Sequence, residues 1–150
     1  MDTSINLDEM RLAGNLVRFV RVVDQRVRGS HDRDVLSLAE LGVLGQIQKG
    51  RRLPSVLARE LRLDPPRVTR LCDRLVSQGL IRRESDEDDR RRCRLELTES
   101  GVDRLTEGRR AVAKTVNALL DDLTEEERVG LTVGLEGVRR VLDDAPVKRT

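Results

Sequence analysis

At 150 residues and 17.0 kDa the chain is long enough for one domain with a real core and short for two independent ones. Charged and hydrophobic residues each make up 37%, and Phe19 is the only aromatic, which excludes an aromatic-rich interior and leaves Leu, Val and Ile to build it. Formal net charge is +2 and no apolar run approaches the ~20 residues of a membrane span, so neither a strongly polycationic chain nor a transmembrane one is indicated.

Apolar positions Leu12, Leu16, Phe19, Val20, Val23 and Val27 recur at three- and four-residue spacing, and Met10, Ala13 and Val17 widen the stripe. This predicts a long first helix with more apolar surface than one core-facing side requires, ended by Gly29-Ser30-His31-Asp32. Ser37 and Glu40 have capping-box spacing and Leu36 with Leu41 that of a hydrophobic staple, which predicts a second helix over about 38–49, closed by Gly50. Leu53-Pro54-Ser55 opens a short third helix through Leu61, with Pro54 in the first turn, where its missing N–H is harmless. Asp64-Pro65-Pro66 opens a fourth, with Asp64 as N-cap and Gly79 as the stop. Val68, Leu71, Cys72 and Leu75 fall on one face of it and Arg67, Arg70, Arg74 and Ser77 on another. The third and fourth helices therefore form a helix-turn-helix candidate.

Leu80-Ile81-Arg82-Arg83-Glu84 reads as a strand, and Arg92-Cys93-Arg94-Leu95-Glu96-Leu97 alternates with period two, placing Cys93, Leu95 and Leu97 on one face. The mixed-charge run ESDEDDRRRCR between them becomes the tip of a two-stranded wing. Thr98-Glu99 caps a fifth helix carried by Val102, Leu105, Val112, Val116, Leu119 and Leu120. Thr124 and Glu127 form another capping box, and Leu131, Leu135, Val138 and Leu142 keep one stripe on a sixth helix. With the first helix these stripes exceed what a monomer buries, which predicts dimerisation through both chain ends. The expected fold is mainly α with a small β-hairpin wing. It is a single domain over 1–150, with a winged helix-turn-helix lobe over 34–97, dimerisation helices in 1–33 and 98–150, and a frayed tail at 146–150.

Of the 29 basic residues 26 are arginines, the planar, bidentate donor suited to phosphate and guanine, although codon bias yields the same excess. Residues 51–94 hold 13 arginines against 8 acids, while the remainder of the chain is net negative. A basic middle between acidic ends is the asymmetry expected of a chain whose middle meets a polyanion. Asp86, Glu87, Asp88 and Asp89 offer oxygen ligands to a hard cation, but EF-hand spacing and its glycine are absent and three arginines follow, so a solvated loop and a wing tip are the stronger readings. The start MDTSINLDEM has no signal-peptide character, which makes the expected location cytoplasmic and leaves Cys72 and Cys93 without a disulfide framework. Both cysteines fall on apolar faces, where cysteine is an inert small hydrophobe, with redox sensing as the alternative. His31 is the single histidine, and G-x-S-x-G, P-loop and G-x-G-x-x-G patterns are missing, so no catalytic residue, metal site or cofactor is expected.

Two stretches carry a resemblance to a known family. The first is Leu63-Asp64-Pro65-Pro66-Arg67-Val68-Thr69-Arg70-Leu71-Cys72-Asp73-Arg74-Leu75, continuing to Gly79-Leu80-Ile81; the second is Asp89-Arg90-Arg91, followed by Leu97-Thr98-Glu99-Ser100-Gly101. In order and separation they resemble the MarR family of bacterial transcriptional regulators, over nearly the whole chain. The resemblance implies a winged helix-turn-helix homodimer that binds a pseudo-palindromic double-stranded DNA operator, usually as a repressor. It would be nucleoid-associated when bound, and released by a small-molecule effector held near the first, second and fifth helices.

Mapped onto this chain, the recognition-helix contacts are Pro66, Arg67, Thr69, Arg70 and Arg74. Arg91 is the minor-groove residue, Asp89 holds it, and Arg90 and Arg92 flank it. First-turn positions lie closest to base edges, which favours Pro66, Arg67 and Arg70, whereas Arg74, Arg90 and Arg92 suit phosphates. Arg62 stands where relatives often carry glycine; a positive φ there would store roughly a kcal/mol or more. Aromatic residues that often line family effector pockets are missing, which argues against phenolic ligands. The rival reading is a charged helical dimer docking another protein, which would bind all duplexes weakly and without sequence preference.

Overall fold

A computed structural model describes residues 6–29, 35–85 and 93–144. The expected loop around His31, the wing tip with Asp89, Arg90, Arg91 and Arg92, and the tail at 146–150 lie outside the described residues. The elements are α1 (Leu7–Arg28), α2 (Leu38–Gln48), α3 (Pro54–Leu61), α4 (Pro65–Ser77), β1 (Ile81–Ser85), β2 (Cys93–Leu97), α5 (Glu99–Leu120) and α6 (Glu125–Asp144). By packing the chain divides into two compact units, residues 1–115 and 116–150.

In the first unit α2 is apolar on nearly every side and buries Leu41, Val43, Leu44 and Ile47. Around it pack Leu57 of α3, Val68, Cys72 and Leu75 of α4, Ile81 and Leu95 of the hairpin, and Leu105 of α5. Fully burying a side chain of this size contributes ~1.5–3 kcal/mol, so the aliphatic core forms without aromatics. The Ser37–Glu40 capping box opens α2 as expected, with Glu40 N–H donating to Ser37 Oγ at 3.2 Å and Ser37 N–H to Glu40 Oε2 at 2.8 Å. Asp24 of α1 adds a third acceptor at this helix end, its Oδ1 3.0 Å from the Leu38 nitrogen. Three acceptors thereby meet the orphan donors and positive end of α2.

α1 starts earlier than its apolar stripe suggests, because Asn6 and Glu9 form a capping box one turn upstream. Val23 and Val27 are buried near its end. Leu7, Met10, Leu12, Leu16, Val17 and Val20 remain exposed. In the second unit α6 opens on the expected Thr124–Glu127 box, with Thr124 N–H to Glu127 Oε2 at 2.8 Å. Arg128 Nη2 donates to the Leu120 carbonyl at 2.7 Å. Along α6, Val129, Val133, Leu135, Val138, Val141 and Leu142 are exposed.

β1 and β2 pair antiparallel with Arg83 opposite Leu95; β1 begins one residue later than the sequence pattern indicates, and the expected first residue of β2, Arg92, lies outside the described residues. Leu95 N–H also donates to the Arg52 carbonyl at 2.8 Å, which ties the hairpin to the chain entering α3. At the other end of β2, Thr98 N–H donates to the Leu80 carbonyl, Thr98 Oγ1 to the Gly79 carbonyl, and Gly101 N–H to Thr98 Oγ1. The first turn of α5 is thus locked onto the turn that ends α4.

Arg62 ends α3 in the left-handed conformation, φ 51° and ψ 42°, and among the described residues is the only non-glycine at positive φ. Its N–H is satisfied by the Arg59 carbonyl, so the geometry closes the helix at the cost of a Cβ in a crowded region. Arg62→Gly is expected to be about 1 kcal/mol more stable than Arg62→Ala in urea denaturation, both variants lacking the side chain. Equal stabilities would show that the backbone there is unstrained.

Candidate nucleic-acid interface

Pro65 and Pro66 occupy the first turn of α4, and neither has an N–H to offer. Asp64 sits at the N-cap with extended dihedrals, yet its side chain makes no capping bond, contrary to the sequence expectation. The reason is local: of the two usual donors, the second helical position is Pro66, and Arg67 N–H at the third is already bonded to the Asp64 carbonyl at 3.0 Å. This helix end therefore cannot hold a phosphate through bare N–H groups in the usual way. Any polyanion must be met by side chains.

Those side chains divide by partner. Pro66, Arg67, Thr69, Arg70 and Arg74 are all exposed, opposite the buried Val68, Cys72 and Leu75, so the structure brings the five predicted α4 residues to one solvent-facing side. Thr69 is exposed, and its Oγ1 donates to the Pro65 carbonyl at 3.1 Å, which uses the hydroxyl proton and leaves the oxygen able to accept. Most other arginines of the lobe are committed. Arg51 pairs with Glu60 at 3.2 Å, Arg83 with Asp73, and Arg74 Nε lies 3.1 Å from Glu40 Oε1. Glu96 bridges Arg52 at 2.6 Å and Arg82 at 2.8 Å. Glu96 first and then Glu84 hold the Arg82 guanidinium even more firmly protonated than a free one. Arg67 and Arg70 have no ion-pair or hydrogen-bond partner among the described residues.

The paired arginines have a mechanical consequence. Arg83–Asp73 joins β1 to α4, and Arg52–Glu96–Arg82 braces the base of the hairpin, so the wing leaves the lobe from a fixed foot beside α4. Sequence reasoning missed these links, and the charge pattern alone carries no signal for them beyond opposite signs at distant positions. Cys72 is buried, and burial pushes its thiol up to about 11, which fits the inert reading; Cys93 is only partly buried.

Comparison with known proteins points to one family. The family model described as MarR family matches residues 36–92. An uncharacterised HTH-type transcriptional regulator of Mycobacterium leprae is 26% identical over 139 residues, covering 92% of this chain and 97% of its own length. The apo form of wild-type MarR from E. coli superposes with a TM-score of 0.73 at 26% identity, over 89% of this chain and 97% of that one. By sequence over residues 36–92, and by fold over most of its length, the chain is similar to the MarR family. FabT of Streptococcus pneumoniae, solved in complex with DNA, matches with a TM-score of 0.66 at 27% identity, covering 90% of this chain and 94% of FabT. These similarities indicate a DNA-binding transcriptional regulator, and the proteins it resembles are regulators and not enzymes. That sets aside the reading as a protein-docking module without DNA. Among the described residues no helix is long and apolar enough to cross a membrane.

Proposed function

We propose that this regulator is a ligand-responsive repressor that works in the cytoplasm as a homodimer, is nucleoid-associated when bound, and grips a pseudo-palindromic operator with α4 in the major groove and the wing in the minor groove. The observation that carries the α4 assignment is the freedom of Arg67 and Arg70 on a face where neighbouring arginines are paired. A free guanidinium fork fits the O6 and N7 acceptors of guanine, and Thr69 suits a base-edge donor or a thymine methyl. Pro66 can contribute apolar contact alone. In the wing, Arg91 enters the minor groove where its potential is most negative, Asp89 orients it, and Arg90 and Arg92 meet phosphates.

Support for the dimer comes from the apolar residues left exposed on α1 and on α6, which a second copy of the chain would cover. On this reading residues 34–97 form the DNA-binding lobe, and 1–33 with 98–150 supply dimerisation helices. Support for an effector is slighter. Val35 and Leu36 with Arg104, Glu107, Gly108 and Ala111 of α5 line an open cleft of about 140 Å³, below the ~300 Å³ of ordinary ligand pockets. A ligand there would be small, and among the described residues the cleft is lined by α5 and by Val35 and Leu36 just ahead of α2, without the α1 and α2 walls that the resemblance implies.

The wing assignment is tested by salt-dependent binding to an operator fragment. Arg91→Ala is expected to weaken binding by roughly 1–3 kcal/mol, whereas Arg92→Ala chiefly flattens the salt dependence by about one unit of slope. Unchanged operator affinity in Arg91→Ala would remove the minor-groove role.

A further inference from the structure

Glu40 is the one charged residue buried among the described residues, at 1% exposure. Its two oxygens have separate partners. Oε2 accepts from the Ser37 N–H and the Ser37 hydroxyl, both at 2.8 Å, and so belongs to the cap of α2. Oε1 accepts no hydrogen bond and faces α4 in an ion pair, 3.1 Å from Arg74 Nε. A carboxylate buried this deeply requires a countercharge, because an unpaired buried ion costs several kcal/mol. Arg74 supplies it while remaining half exposed, on the same side of α4 as Arg67 and Arg70.

We propose that Glu40 is a positioning residue for DNA recognition, which withholds the Arg74 charge from the phosphate backbone and anchors α4 so that Arg67 and Arg70 face the bases. This rests on α4 being the DNA-reading helix. Phosphate contacts add affinity without sequence information, so a mobile guanidinium at position 74 would strengthen binding to every duplex and dilute the preference supplied by base contacts. The fold avoids this by spending Arg74 on an internal carboxylate. The link also runs from the recognition helix to the N-terminus of α2, the same helix end that Asp24 of α1 holds. Arg74, which position alone marks as a phosphate contact, is thereby reassigned to orienting its own helix.

The test uses the full chain and a 30-bp mixed-sequence duplex, with binding measured across a salt series. Glu40→Gln keeps the shape and removes the charge that holds Arg74. It is expected to bind this duplex more tightly than the wild type, by 3-fold or more at low salt. The plot of log K against log salt should steepen by about 0.9 per protomer, one phosphate contact each. An unchanged or shallower slope in folded Glu40→Gln would overturn the proposal. The double variant Glu40→Gln/Arg74→Gln leaves no buried charge unpaired and serves if the single variant does not fold. Its expected slope is that of the wild type; a slope shallower by about 0.9 per protomer would mean that Arg74 touches phosphate natively and would likewise overturn it. Failure of the α4 reading itself appears separately, as unchanged operator binding in Arg67→Ala and Arg70→Ala.

Discussion

Replacing Gly101 by alanine is expected to destabilise the protein by about 3 kcal/mol, read as a fall in the urea midpoint at unchanged slope. A Cβ at this position would lie 2.0 Å from the Leu80 carbonyl oxygen and 3.3 Å from Leu97 Cδ2. Side chains can swing away from such a contact, but the Leu80 carbonyl is backbone and already accepts from Thr98 N–H at 3.1 Å. Thr98 is in turn held by its hydroxyl to the Gly79 carbonyl at 2.7 Å. Relief of the clash therefore means pulling α5 off the turn that ends α4, which breaks the lock and shifts the foot of the wing. The run Leu97-Thr98-Glu99-Ser100-Gly101 acquires a physical reason: threonine caps the helix, and glycine lets it approach a carbonyl. Ser100→Ala, at an exposed neighbouring position, should change stability by less than about 0.5 kcal/mol. A loss under about 1 kcal/mol in Gly101→Ala would show that the approach is not tight.

Arg67→Ala and Arg70→Ala are each expected to weaken operator binding by roughly 1–3 kcal/mol, and the double variant by roughly their sum, with the urea midpoint unchanged. Neither guanidinium has a partner among the described residues, so truncation removes no internal contact. Loss of stability without loss of binding would mean that these side chains serve the fold. Arg82→Ala offers a contrast, because it removes an exposed ion pair to Glu96 and should have a small effect on stability.

Much of this architecture is legible in the chain because it is written in local spacing. The Ser37–Glu40 and Thr124–Glu127 boxes, prolines at the starts of α3 and α4, and glycines at positive φ after α2 and α4 fix element ends within a residue or two. Arg62 is similarly legible, since a chain that turns there without glycine must take the left-handed conformation that is observed. The α4 face also follows from helical period: Val68, Cys72 and Leu75 inward, Arg67, Arg70 and Arg74 outward.

What local spacing does not carry is which outward arginine is free. The Glu40–Arg74, Asp73–Arg83 and Arg52–Glu96 contacts join residues on different elements, and opposite charges alone do not choose between partners. Gly101 illustrates the same limit, being visible as part of a signature while its cause is a carbonyl on a distant turn. Asp64 marks the opposite failure, where a local rule applies in position but Pro66 removes one donor and the Asp64 carbonyl takes the other.

Sequence-specific recognition of a two-fold site is tested most directly by genomic footprinting with the purified protein at moderate salt. Protection of a pseudo-palindrome with half-sites about one helical turn apart, at a small number of genomic positions, is the expected result. Uniform weak protection of all fragments, with no preferred site, would contradict it.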